Sequence, residues 1–175
     1  MQIRAYQKQD QMDVIALWQR CGLVRSWNDP AKDIERKLAV QPDLFLVGCE
    51  GQQLIASAMA GYDGHRGNVY YLAVDPNCQA RGYGRAMMGE VERLLQARGC
   101  PKLNILIRAT NHEVRTFYER LGYSSEQVAC MGRRLISDEG PPSRGESGGP
   151  GTLPAPARVA ERPALQIACN RSPSC

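Results

Sequence analysis

Gln79-Ala80-Arg81-Gly82-Tyr83-Gly84-Arg85 is the stretch of this chain whose residue types and spacing point most directly to chemistry. It lies between a strand-like segment, Val69 to Val74, and a helix-like one, Arg85 to Arg98. A glycine-rich turn that opens a helix is an anion site. Its glycines let backbone approach a ligand, and the first helical N–H groups have no intrahelical partner. Arg81 and Arg85 add positive charge there. The spacing is neither the G-x-G-x-x-G of a dinucleotide site nor the G-x-x-x-x-G-K-[ST] of a triphosphatase. The plain alternative is a solvated basic turn with incidental glycines.

A second block, Asn111 to Tyr123, reads as a short helix: Asn111 as N-cap and Gly122 just past its end. Val114, Phe117, Tyr118 and Leu121 fall on one face at helical spacing, so Tyr118 on its own reads as a core residue. Taken with the first block (Val74, Pro76, Gln79, Gly82, Gly84), the order Asn111, Tyr118, Leu121-Gly122-Tyr123 resembles the GNAT superfamily of N-acetyltransferases. The flanking Asn28-Asp29-Pro30 and Tyr62 to Gly67 segments are similar to the YpeA group of bacterial acetyltransferases.

That resemblance implies a direct transfer of an acetyl group from acetyl-CoA to a primary amine of a small molecule or protein. The 79–85 turn, with Gln79, Arg81, Gly82, Tyr83, Gly84 and Arg85, would hold the CoA pyrophosphate. Backbone groups of Tyr71, Leu72 and Val74 and the side chain of Asn111 would line the pantetheine arm, and Tyr118 would protonate the leaving thiolate. The competing expectation is a non-catalytic acyl-CoA-binding regulatory module on the same fold.

A base is harder to name. A lysine amine near pKa 10.4 lies about 3.4 units above neutrality, so deprotonation costs roughly 4.6 kcal/mol. Protein-acetylating relatives often carry a glutamate where this chain has Leu106, which counts against a ribosomal-protein type of N-terminal acetylase. Asp63, His65, His112 or a held water are the alternatives. The acceptor side is expected from the polar, aromatic Arg25–Pro30 and Gly61–Gly67 segments.

Composition fits a cytoplasmic enzyme domain. Residues 1–137 carry 18 Lys+Arg and 14 Asp+Glu, so the whole excess of +4 lies there. That suits an anionic co-substrate and falls short of a nucleic-acid footprint. No apolar run is long enough to span a membrane, and the N-terminus does not read as a signal peptide. Seven cysteines form no C-x-x-C pair and no zinc spacing, so no metal is expected; Cys78, beside the turn, reads as an unremarkable loop thiol, with a modifiable one as the alternative. A homodimer is left open.

The last 38 residues hold seven of eleven prolines, five glycines and no aromatic residue. Such a segment buries too little apolar surface to offset its ordering entropy, so 138–175 is expected to be a disordered tail after a GNAT domain at 1–137. Within the domain, periodicity and turn residues give the order β-α-α-β-β-β-α-β-α-β. Its last strand is expected at Gln127–Ile136. The family fold adds an α/β architecture: a mixed, mostly antiparallel sheet with splayed central strands.

Overall fold

A computed structural model describes residues 1–138; the expected tail, apart from Asp138, lies outside the described residues. The strands are β1 (Gln2–Ala5), β2 (Phe45–Glu50), β3 (Gln53–Tyr62), β4 (Gly67–Val74) and β5 (Leu103–Ile105). The helices are α1 (Gln11–Arg20), α2 (Pro30–Ala39), α3 (Tyr83–Ala97) and α4 (His112–Arg120). The sheet order is β1-β2-β3-β4-β5, antiparallel up to β4 and parallel between β4 and β5.

Alternating apolar residues send side chains to both faces of the sheet. Leu46, Ala56, Ala58 and Ala60 pack with Met87, Val91 and Leu95 of α3. Phe45 and Val47, one residue out of phase, pack with Val14, Leu17 and Trp18 of α1. The small alanines of β3 give α3 room to lie close to the strand.

The caps of α1 and α2 differ. Asp29 caps α2, its Oδ1 accepting the N–H groups of Ala31 (2.9 Å) and Lys32 (3.3 Å), with Pro30 at the first helical position. Asp10 occupies the cap position of α1 but makes no capping bond. Its carboxylate instead takes the Arg4 guanidinium at 2.7 and 2.8 Å and the Gln7 N–H at 2.7 Å. Charge-assisted bonds to arginine outweigh a neutral cap, and they hold this carboxyl below its ordinary range.

The strand expected at Gln127–Ile136 does not form. β5 is only three residues long, and Gly132-Arg133-Arg134 interrupts the alternation that would mark a paired strand. Polar contacts to the α1–α2 loop hold the segment instead: Arg134 donates to Asn28 Oδ1 (2.9 Å), and Asp138 accepts the Asp29 N–H (3.1 Å) and pairs with Arg36.

Candidate active site

The site grows from the place where β4 and β5 part. Their pairing runs only from Gly67/Leu103 to Val69/Ile105, whereas β4 continues to Val74. A gap therefore opens beside Tyr70–Val74, as the splay expected of the central strands requires.

An irregularity in β4 lies beside this gap. Ser57 pairs with Ala73 and Met59 with Tyr70, so Tyr71 and Leu72 together oppose the single residue Ala58. This is a β-bulge, and Tyr71 takes φ +52° within it, a left-handed conformation costly for a bulky residue. Several contacts over-determine it. The Ser57 hydroxyl donates to the Tyr71 carbonyl (3.0 Å), and Trp18 Nε1–H donates to Ser57 Oγ (2.8 Å). The Trp18 and Tyr71 rings stack at 4.0 Å, and the Tyr71 hydroxyl donates to Asp33 Oδ2 (2.7 Å). Burial first, and then the Asp33 bond, push the Tyr71 phenol up to about 12. Sequence reasoning missed this bulge. The available signal was Ser57, a lone hydroxyl in an apolar strand that had to find a partner.

The geometry of the 79–85 turn is set by the bonds that flank it. Asp75 accepts the Asn77 N–H (3.0 Å) and pairs with Arg20 (2.9 Å), fixing the chain as it leaves β4. Gln79 Nε2 donates back to the Val74 carbonyl (3.1 Å). Ala80 and Gly82 both take left-handed φ, +61° and +80°. α3 begins at Tyr83, two residues earlier than its sequence suggests, without a side-chain cap or an acidic residue in its first turn. Because Ala86 N–H bonds to the Gly82 carbonyl (3.0 Å), the N–H groups of Tyr83, Gly84 and Arg85 precede the first intrahelical bond.

The two glycines differ in purpose. Gly82 has open space around a built Cβ, so its backbone conformation is what demands glycine; Gly84 would bring a Cβ to 3.1 Å from the Phe117 ring of α4. Gly82→Ala is expected to destabilise the fold by about 1–2 kcal/mol through its left-handed φ. It should also weaken binding of a phosphate-bearing ligand, as isothermal titration would read. Cys78 is buried, which favours an unremarkable thiol there over a modifiable one.

Tyr118 on α4 is 6 % exposed and packs edge-to-face against Phe117 and Tyr123. Burial alone pushes its phenol up to about 12, so it stays protonated at neutral pH. Asn111 caps α4 through Oδ1 to the Val114 N–H (3.2 Å). Tyr118 and Asn111 share one groove of about 630 Å³ with Arg108 and with His65 and Arg66 of the β3–β4 turn.

The structure thus brings Tyr118 and Asn111 together in the groove and puts Tyr71, Leu72 and Val74 beside the gap. Gln79 to Arg85 form the turn at the far end of β4. The Tyr71 and Val74 carbonyls already accept bonds from Ser57 and Gln79.

The expected acceptor loops divide. The β3–β4 turn lines the groove, whereas Arg25–Pro30 does not. In that loop Asn28 Nδ2 donates to Asp33 of α2 (3.3 Å), which also accepts the Tyr71 hydroxyl of β4, and the loop reaches the groove where Arg108 lies over Trp27, 6.0 Å from the ring centroid. Among the candidate bases, Asp63 accepts the His65 and Arg66 N–H groups (2.8 and 2.7 Å), which hold its carboxyl below the usual range. His112 Nδ1 is within 2.9 Å of Arg115, and His65 lines the groove. No group of metal-ligating side chains occurs among the described residues, nor any helix long and apolar enough to cross a membrane.

A strand pair thus opens between an uncapped helix N-terminus and a buried tyrosine. A family model described as the acetyltransferase (GNAT) family matches residues 8–123. An acetyltransferase of Yersinia enterocolitica is 48 % identical over 139 residues, 79 % of this chain and 99 % of that protein. The chain belongs to the GNAT family of acetyltransferases.

Solved structures share its fold. A putative acetyltransferase from Agrobacterium tumefaciens superposes with a TM-score of 0.64 at 20 % identity, covering 77 % of this chain and all of that one. The NatB acetyltransferase complex bound to CoA and MES gives a TM-score of 0.63 at 22 % identity, covering 71 % of this chain and 84 % of that one.

Proposed function

We propose that the protein moves an acetyl group from acetyl-CoA to a primary amine by direct transfer. The observation that carries this is the pairing of an uncapped α3 N-terminus at one end of the β4–β5 gap with a buried, protonated Tyr118 in the groove beyond it. The CoA complex of the NatB neighbour supports the choice of donor.

The pyrophosphate rests on the N–H groups of the 79–85 turn, and the pantetheine arm runs along Tyr71, Leu72 and Val74 with Asn111 beside it. The amine nitrogen bonds to the thioester carbon, the C–S bond breaks, and the departing thiolate takes the proton of the Tyr118 hydroxyl. The proton released by the amine returns to the tyrosine through solvent. Tyr118 is the general acid. With Asp63 committed to backbone N–H groups and a leucine at 106, deprotonation of the amine falls to His65, which lines the groove, or to solvent.

Thiol release across a panel of amines tests this. The expected result is amine-dependent release of CoA, together with thermal stabilisation by acetyl-CoA alone, worth about 2.7 kcal/mol at one hundred times Kd. Stabilisation without turnover of any amine would favour the regulatory-module alternative. No stabilisation at all would exclude both.

A further inference from the structure

The charges in the groove are unbalanced. Arg66, Lys102, Arg108 and Arg115 line it against Glu119 and Glu126. Both acids are engaged: Lys102 pairs with Glu126, and Arg115 Nε lies 4.0 Å from Glu119. Asp63, in the β3–β4 turn, spends its carboxylate on backbone N–H groups. Arg66 and Arg108 are left without an ion-pair partner among the described residues.

These cations do not belong to the phosphate cradle. Arg66 precedes β4 and the cradle follows it, and eight strand residues span about 25 Å. Arg108 stands in the turn that leads into α4, where its carbonyl accepts the Asn111 N–H (2.8 Å). Its guanidinium lies over the Trp27 indole. A guanidinium held against an aromatic face keeps its N–H edge for a planar, two-oxygen partner.

Resting on the acetyl-transfer proposal, we infer that the acceptor is an amine that also carries a carboxylate, which Arg108 binds while the amine faces Tyr118. Free amino acids and peptides with an acidic residue beside the amino terminus share this chemistry. Polycationic amines meet like charge in the groove and are disfavoured.

The test uses the full chain and matched acceptor pairs. One is a free amino acid and its amide; the other is a peptide with Asp or with Asn beside its amino terminus. A polyamine is the third arm. The acid member of the productive pair is expected to have at least tenfold higher kcat/KM, an advantage that shrinks as salt rises. Arg108→Gln should erase it by raising KM at little change in kcat, and Arg108→Lys should restore part. Calorimetric titration of the same pairs, with CoA present, reads the groove without turnover. It should show the same tenfold preference and the same loss in the Arg108→Gln variant. Equal affinity for acid and amide in both pairs, or a preference for the polyamine, overturns the inference. Tight carboxylate binding without turnover supports it and overturns only the acetyl-transfer proposal.

Discussion

Tyr118→Phe is expected to lower kcat by about 10²- to 10⁴-fold, the range that a positioned general acid contributes. The substitution keeps the ring that packs edge-to-face on Phe117 and Tyr123 and removes only the hydroxyl. Acetyl-CoA affinity and melting temperature should therefore change little, which separates loss of the acid from loss of the fold. Burial alone raises the phenol to about 12, so the neutral, proton-donating form prevails throughout the usual assay range. The sign follows directly. Raising pH does not remove the acid below about pH 10, whereas it increases the neutral fraction of the amine, so kcat/KM should climb with the acceptor's own deprotonation. Steady-state rates between pH 6 and 10 for both proteins check this. An undiminished kcat in the phenylalanine variant would remove Tyr118 from the chemistry. A falling limb near pH 9 in the wild type alone would mean that its phenol is not raised.

Much of this site was legible because short-range signals reported it. Gly82 and Ala80 take left-handed φ within eight residues of β4, and Asn111 caps its own helix, so neighbours in sequence carried the information. Gly84 was legible as a glycine but for an incomplete reason, since Phe117, thirty-three residues away, supplies the atoms that a Cβ would meet. What escaped depended on register between strands. The bulge at Tyr71 appears only once β3 and β4 are aligned, and its braces come from Trp18, Ser57 and Asp33, each distant in the chain. The expected last strand fails for a related reason: its partial alternation looked like pairing, but an edge of three residues gives little to pair with. Asp10 sat at a cap position and was drawn off by Arg4, a competition that a local window does not register.

The bulge also sets the largest stability effect expected in the domain. Trp18→Ala should cost about 3–5 kcal/mol, the range for truncating a buried large aromatic. Trp18 is fully buried, stacks on Tyr71 at 4.0 Å and donates its only polar hydrogen to Ser57. Removing it opens a cavity behind β4 and withdraws the ring that opposes relaxation of Tyr71 from φ +52°. Ser57→Ala acts on the same linkage from the other side. It leaves the Trp18 N–H buried without an acceptor, a loss of about 1–3 kcal/mol. Because the two residues share one hydrogen bond, their effects should not add, and the double variant should cost less than the sum. Denaturant midpoints for the two single variants and the double variant measure this coupling. The catalytic consequence follows from geometry: a bulge free to relax no longer presents Leu72 to the gap in a fixed orientation. A partial brace loss such as Ser57→Ala should therefore lower kcat at temperatures where the protein is still fully folded. Strict additivity, with kcat untouched, would show that the bulge holds its shape without Trp18 and Ser57.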